Sequence, residues 1–298
     1  MTRFLYSALQ AAAPAEAEPF DIKEMILHHL ADSPKWEGPF GLELGWQFAP
    51  IHLGPITLDF SITKHVLFMM ISAVLVAIIV IWAGRDAKRQ HMSGAVRGPR
   101  GTTNVVEAFI LFLRDEVALR NIGHGGERYV PYVVTVFFFI LFCNLLGLLP
   151  WGASPTGNIS VTATLALLTF IIVEVSGMGA LGAGGYARTI FYVPPGLPAW
   201  MKPIMLVIFT PVEIIGKLTK PFALTIRLYA NMTAGHAVVL AFTGMLVLAG
   251  IAGTIYIAPA PILMAIGILV LEIFVAFLQA YIFAMLSSVF IGLIRHAH

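Results

Sequence analysis

PILMAIGILVLEIFVAFLQAYIFAMLSSVFIGLI, residues 261–294, is a run of 34 residues in which Glu272 is the only charge. At 1.5 Å per residue a straight helix of that length reaches about 51 Å, well beyond the roughly 30 Å of hydrocarbon in a bilayer. Such a run reads as a membrane helix, and its excess length as tilt or kinking. Before it lies Pro203–Gly250, longer still and interrupted by Pro211 and Pro221. Joined by a short turn at Ala252–Ala260, the two predict a strongly tilted helical hairpin. The alternative is that each is two shorter segments with a re-entrant break, which Pro221 permits in the first and only Gly267 offers in the second.

Further from the hairpin, three more apolar runs approach twenty residues: Val66–Gly84, Tyr129–Trp151 and Ile159–Gly182. The third holds one acid, Glu174. Between the first two, Val105–Val117 mixes apolar residues with Glu107, Arg114, Asp115 and Glu116, the pattern of an amphipathic helix at an interface. The expected fold is an all-α polytopic membrane protein of five membrane-traversing helical regions, the last two the hairpin, plus that interfacial helix. Two parts follow: residues 1–64 as an outside N-terminal segment, and 65–298 as the transmembrane domain. Its spans fall near 66–84, 129–151, 159–182, 203–250 and 261–294, with an inner loop at 85–128.

Composition agrees. Of 298 residues, 58% are hydrophobic and 11% charged, with a mean hydropathy of +0.87. Soluble domains are about half apolar and about a quarter charged. A soluble enzyme, a disordered protein and a nucleic-acid binder are excluded. The net charge of +2 says little by itself, and the single cysteine, Cys143, excludes a disulfide framework or a cysteine metal cluster. There is no HExxH, no P-loop, no GxGxxG followed by an acid and no defensible Ser/His/Asp arrangement. No cofactor, no metal and no catalytic residue is expected.

Lysine and arginine orient the spans. Residues 1–64 hold four, Arg3, Lys23, Lys35 and Lys64, against eight acids. Residues 85–128 hold eight: Arg85, Lys88, Arg89, Arg97, Arg100, Arg114, Arg120 and Arg128. The basic segment is therefore cytoplasmic (or in the matrix), the N-terminus outside and the C-terminus inside. Residues 152–158 then lie outside, 183–202 inside and 251–260 outside. The first residues, Met1 to Pro14, read as an outside tail, with a cleaved signal as the alternative.

Ionisable groups inside spans are expensive and point to function. The last two regions hold Glu213, Lys217, Lys220, Arg227, His236 and Glu272, with Asn231 and Gln279 beside them. Arg227 is the sharpest case, because a guanidinium keeps its proton at any accessible pH. It must face an acid, a polar cavity or a partner's carboxylate; the bland possibility is a structural ion pair with Glu213 or Glu272. Asn231, four residues on, shares its helix face. His236, nine residues on, lies on another face, and Glu272 is its natural partner; such a pair can relay protons. Gln279 is two turns past Glu272 and looks the same way, if only for an interhelical hydrogen bond. Glu213 could line a route from the inner side, whereas Lys217 and Lys220 could simply snorkel. Ala223, Ala230, Ala234 and Gly235 keep the neighbourhood slim for a close helix. The remaining histidines, among them His28, His29, His52, His65, His91, His124, His296 and His298, read as solvated or interfacial.

Lys220-Pro221-Phe222-Ala223-Leu224-Thr225-Ile226-Arg227-Leu228-Tyr229-Ala230-Asn231-Met232-Thr233-Ala234-Gly235-His236 closely resembles the signature of subunit a of F-type ATP synthases. Glu272 followed by Leu278-Gln279-Ala280-Tyr281-Ile282-Phe283 is similar to that family's final helix, and Asn144-Leu145-Leu146-Gly147-Leu148-Leu149-Pro150 to its second-span motif. The resemblance covers roughly residues 60–294. It implies that Arg227 is the essential arginine facing a carboxyl of the c-subunit ring. Asn231, His236, Glu272 and Gln279 would match the outer half-channel and Glu213 the inner one. Many bacterial members carry an acid where His236 stands and a histidine where Glu272 stands; here the two are exchanged, as in the mitochondrial branch. One acid and one imidazole remain, so a relay survives. The implied partners are the c-ring, the b/b' peripheral stalk, the rest of the ATP synthase complex and the lipid bilayer, with no nucleic acid. The implied location is a bacterial plasma membrane, with the mitochondrial inner membrane as the alternative. A stand-alone secondary transporter would show inverted repeats, and none is visible. An intramembrane enzyme would need a nucleophile or metal cluster that the sequence does not supply.

Overall fold

The structure, a computed structural model, describes residues 23, 31–38, 43–45, 48, 51–53, 56–58, 61–93, 102–149, 151–191, 198, 200–257 and 259–296. The tail or signal expected before Pro14 lies outside these residues, as do His28, His29 and His298.

Helices dominate. They are α1 (Lys64–Ser93), α2 (Thr102–Phe112), α3 (Val130–Gly147), α4 (Ile159–Ile190), α5 (Lys202–Ile257) and α6 (Pro259–Arg295). The all-α expectation needs one addition in the N-terminal segment. Strands β1 (Trp36–Glu37) and β2 (Glu43–Leu44) pair antiparallel, as do β3 (Ile51–Leu53) and β4 (Ile56–Leu58). In register, Trp36 faces Leu44 and Ile51 faces Leu58.

Among the described residues, four helical stretches are long and apolar enough to cross a membrane: Lys64–Trp82, Gly126–Gly147, Ile159–Ile190 and Pro259–Arg295. The chain is a polytopic membrane protein. Helix α5 is not among those four; it carries Glu213, Lys217, Lys220 and Arg227 along its first half. Both prolines inside it are accommodated without a break, and α6 is also continuous, so neither divides into two segments.

Several boundaries move from the expected ones. Helix α3 ends at Gly147 rather than Trp151, since Pro150 withholds a backbone N–H and disfavours helix in the residue before it. Its start tolerates Pro131, because a first-turn residue needs no N–H partner. The turn expected over Ala252–Ala260 is mostly helix: α5 runs to Ile257 and α6 begins at Pro259. Helix α4 continues past Gly182 to Ile190, taking eight residues from the expected inner loop. At Gly182, φ is +69°, a conformation open to glycine, and there the helix kinks. Asn158 caps the other end of α4, its side chain accepting from Ser160 N at 2.9 Å.

The expected interfacial helix appears as α2 followed by a π-helical stretch, Leu113–Leu119. Its Leu113 and Val117 are fully buried while Arg114, Asp115 and Glu116 are exposed. The core is a single cluster in which these two meet Val133, Phe137 and Ile140 of α3, Leu224 and Leu228 of α5, and Ala280, Phe283 and Ile291 of α6. Around it the outer faces of α5 and α6 are strongly apolar and exposed, with Val207 and Leu263 both at 72%.

The N-terminal segment is clasped to the mouth of the bundle. Lys64 N donates to Ser33 O at 3.0 Å, and the Trp36 indole donates to Trp151 O at 2.7 Å. The Asp32 carboxylate lies 2.8 Å from His65 Nδ1 and accepts from Asn158 Nδ2 at 3.4 Å. His65 is thus buried and paired, against the expectation of a solvated or interfacial ring. Partial burial pushes the Asp32 carboxyl up, but the hydrogen bond and charge of His65, with Thr63, outweigh it and hold the group below its ordinary value.

Candidate functional site

Glu213, Lys217, Lys220, Arg227 and Asn231 recur at intervals of three, four and seven, so α5 sets them along one stripe, with Leu224 at its buried edge. Arg227 sits between two cavities on that stripe. Its side chain is exposed, and among the described residues it makes no hydrogen bond or ion pair. The intramolecular ion pair with Glu213 or Glu272 is therefore absent.

On the N-terminal side of Arg227 lies a cavity of about 200 Å³ lined by Glu174, Thr189, Glu213, Lys217, Lys220 and Leu224, among others. Lys217 Nζ lies 3.3 Å from Glu174 Oε2 and 3.1 Å from the Tyr186 hydroxyl, and 4.3 Å above the Tyr186 ring. Both charged side chains are largely buried, at 11% and 14% exposure. Lys217 is therefore held in an interhelical ion pair, not snorkelling as expected. Lys220 lies over the Phe290 ring at 5.2 Å. Glu213, at the outer edge of the same cavity, is exposed.

On the other side lies a cavity of about 280 Å³ lined by Asn231, Met232, Ala234, Gly235, Leu271 and Glu272 with a few further apolar residues. Glu272 is buried, and its Oε1 makes no hydrogen bond but lies 3.5 Å from His236 Nδ1. The histidine is held by two carbonyls: Met232 O at 3.0 Å from Nδ1 and Gly147 O at 2.8 Å from Nε2. A neutral ring has one N–H and can donate to only one of them; a ring with two donates to both. The pair can take up and return a proton without moving its frame. Gly235 makes room for it, because a Cβ there would run into the Glu272 carboxylate.

Two turns past Glu272, Gln279 is also buried, but it lies outside that cavity's lining. With α5 and α6 antiparallel and His236 opposite Glu272, Gln279 falls at the depth of Arg227 and Asn231. Helix α6 is fixed at this depth by a buried network. Asn144 Nδ2 donates to Ala276 O at 3.3 Å, and its Oδ1 accepts from Thr156 Oγ1 at 2.6 Å. Thr156 in turn meets Ser154 at 2.7 Å.

A family model described as "ATP synthase A chain" matches residues 66–292, a span that holds every residue of both cavities except two, Leu293 and Ile294. The chain belongs to the ATP synthase A chain family. It is 43% identical over 271 residues to ATP synthase subunit a of Chloroherpeton thalassium, covering 90% of this chain and 75% of that one. It is 44% identical over 290 residues to ATP synthase subunit a 2 of Chlorobaculum tepidum, with coverage of 96% and 76%. To ATP synthase subunit a of Myxococcus xanthus it is 44% identical over 276 residues, with coverage of 89% and 85%. Residues 1–65 lie outside the match to the ATP synthase A chain model.

Within this member of the ATP synthase A chain family, sequence reading missed Tyr186 and the pairing of Glu174 with Lys217. A signal was present, since a mid-span acid demands a partner and Lys217 shares a face with Glu213. Which helix supplies the partner depends on packing, and Tyr186 reaches Lys217 only from the helical turns beyond the Gly182 kink.

Proposed function

We propose that this chain is the stator subunit of the membrane (F0) sector of an F-type ATP synthase, forming two proton half-channels against a ring of c subunits. The carrying observation is the unpartnered, outward-facing Arg227 between a cavity holding Glu272 and Asn231 and another holding Glu213. A guanidinium at bilayer depth is costly unless an opposite charge meets it. A ring carboxyl passing Arg227 is stabilised as the anion and releases its proton; facing lipid, it is stabilised in the protonated form. Protons enter from outside past His236, Glu272, Asn231 and Gln279, ride the ring for nearly a turn, and leave towards Glu213. Each crossing is worth about 2.3 kcal/mol per 100 mV of membrane potential.

In this reading the chain crosses the membrane five times, α5 included, with the N-terminus outside and the C-terminus inside, in a bacterial plasma membrane. Helices α5 and α6 form a tilted hairpin whose exposed apolar faces meet the ring and lipid. The b/b' stalk holds the subunit against rotation, and ATP is made elsewhere in the complex, so this chain is not itself catalytic. Replacing Arg227 tests the reading directly. Arg227→Ala in the intact complex abolishes ATP-driven proton pumping into vesicles, while the subunits still copurify. Coupled pumping at the wild-type rate by that variant would overturn it.

A further inference from the structure

Arg227 guards only one side of its helix. Its side chain faces outward, whereas Leu228, about 100° round the helix, points into the protein. Two cavities of about 200 and 280 Å³ approach each other along α5, so a proton could in principle pass between them behind the arginine. Leu224 is the last α5 residue of the first cavity, and Asn231 begins the second. On the inward face Leu224 edges the first cavity, Met232 edges the second and Leu228 lies between them, the three spaced by four and exposed by only 4%, 1% and 4%. Leu224 and Leu228 belong to the central core cluster with Phe137, Ala280, Phe283 and Ala284. The seven helical steps from Leu224 to Asn231 span about 10 Å. The Leu224, Leu228 and Met232 face of α5 offers a hydrogen-bonded water file no partner, and Thr225 beside it already donates to Pro221 O at 2.9 Å; a buried water needs two or more polar partners.

We propose that Leu224, Leu228 and Met232 form a dry seal, separate from Arg227, that prevents protons from short-circuiting through the interior of this subunit. The inference rests on the half-channel reading above and assigns the two barriers to different routes. Arg227 controls the seam with the ring, and the leucine layer controls the path behind it. A polar side chain at Leu228 supplies the missing partner for water and joins the cavities.

The test uses the intact complex in sealed vesicles with an imposed pH gradient, before and after a carbodiimide that modifies the ring carboxyls. Flux by way of the ring is blocked by the reagent, and flux through the stator interior is not. Leu228→Asn is expected to dissipate the gradient at least tenfold faster than wild type in the carbodiimide-treated vesicles. Leu228→Met, which keeps the layer apolar, is expected to hold it. Should Leu228→Asn fail to assemble, Leu224→Asn carries the same expectation at the edge of the layer. The proposal is overturned if the assembled asparagine variant holds the gradient like wild type, or if its extra leak disappears with carbodiimide. A wild-type flux that ignores carbodiimide sinks the ring reading instead, which keeps the two failures distinguishable.

Discussion

The two cavities beside Arg227 handle charge in different ways. On the Glu213 side, Lys217 and Glu174 neutralise each other at 3.3 Å under the Tyr186 ring, joining α4 to α5. On the Asn231 side, Glu272 leaves a buried carboxylate oxygen without a hydrogen bond, beside an imidazole held by two carbonyls. The first arrangement fixes helices; the second can exchange a proton. The first pair is closed on itself, whereas the second leaves one carboxylate oxygen facing the cavity side of the histidine without a hydrogen bond.

That contrast predicts a split between stability and flux. Lys217→Met leaves Glu174 buried without its cation, and breaking a buried pair in this way costs about 3–5 kcal/mol. The expected result is a complex that loses this subunit in detergent at markedly lower temperature. Adding Glu174→Gln to the same chain restores most of the loss. Subunit retention on heating, followed by gel, reads both. A Lys217→Met complex as robust as wild type would remove the distinction drawn here.

Glu272→Gln is expected to do the reverse. The complex assembles and resists heat normally, because glutamine fills the same space beside Gly235. Passive proton flux through vesicles falls about a hundredfold, the low end of what a positioned acid–base group contributes and about 2.7 kcal/mol. Normal flux with Glu272→Gln would mean that protons enter by another path.

How much of this was legible beforehand follows the same division. Arg227, His236 and Glu272 stood out because an ionisable group in an apolar run is anomalous in one dimension, and spacing assigned helix faces, Asn231 sharing that of Arg227. The pairing of His236 with Glu272 was also readable, since the two lie on consecutive helices joined by a short turn. Glu174 with Lys217 was not, because the two are 43 residues apart on helices whose facing sides are set by packing rather than by spacing along the chain. The turn at Ala252–Ala260 is shorter than expected, since α5 runs on to Ile257 and α6 begins at Pro259, and at a membrane each backbone N–H favours continued helix. His65 was misread because its partner, Asp32, lies 33 residues upstream in a polar segment with no periodic pattern.

The smallest expected effect belongs to that clasp, which lies apart from both cavities. Asp32 has its folded value lowered from an ordinary 3.8 by the His65 contact and by Thr63, against an opposing contribution from partial burial. A carboxyl depressed in this way adds stability above its ordinary value, and the contribution fades as pH falls through the lower folded one. The contribution of Asp32 to the clasp is thus present at neutral pH and fades only in acid, below its ordinary 3.8. Asp32→Asn keeps an acceptor for Asn158 and removes the charge facing His65. Its expected outcome is faster proteolysis of the segment before Lys64 at pH 7, with proton flux within about twofold of wild type. An effect on flux as large as that of Glu272→Gln would mean that the N-terminal segment forms part of the outer entrance, and the boundary between anchoring and exchanging carboxylates would have to be redrawn to include Asp32.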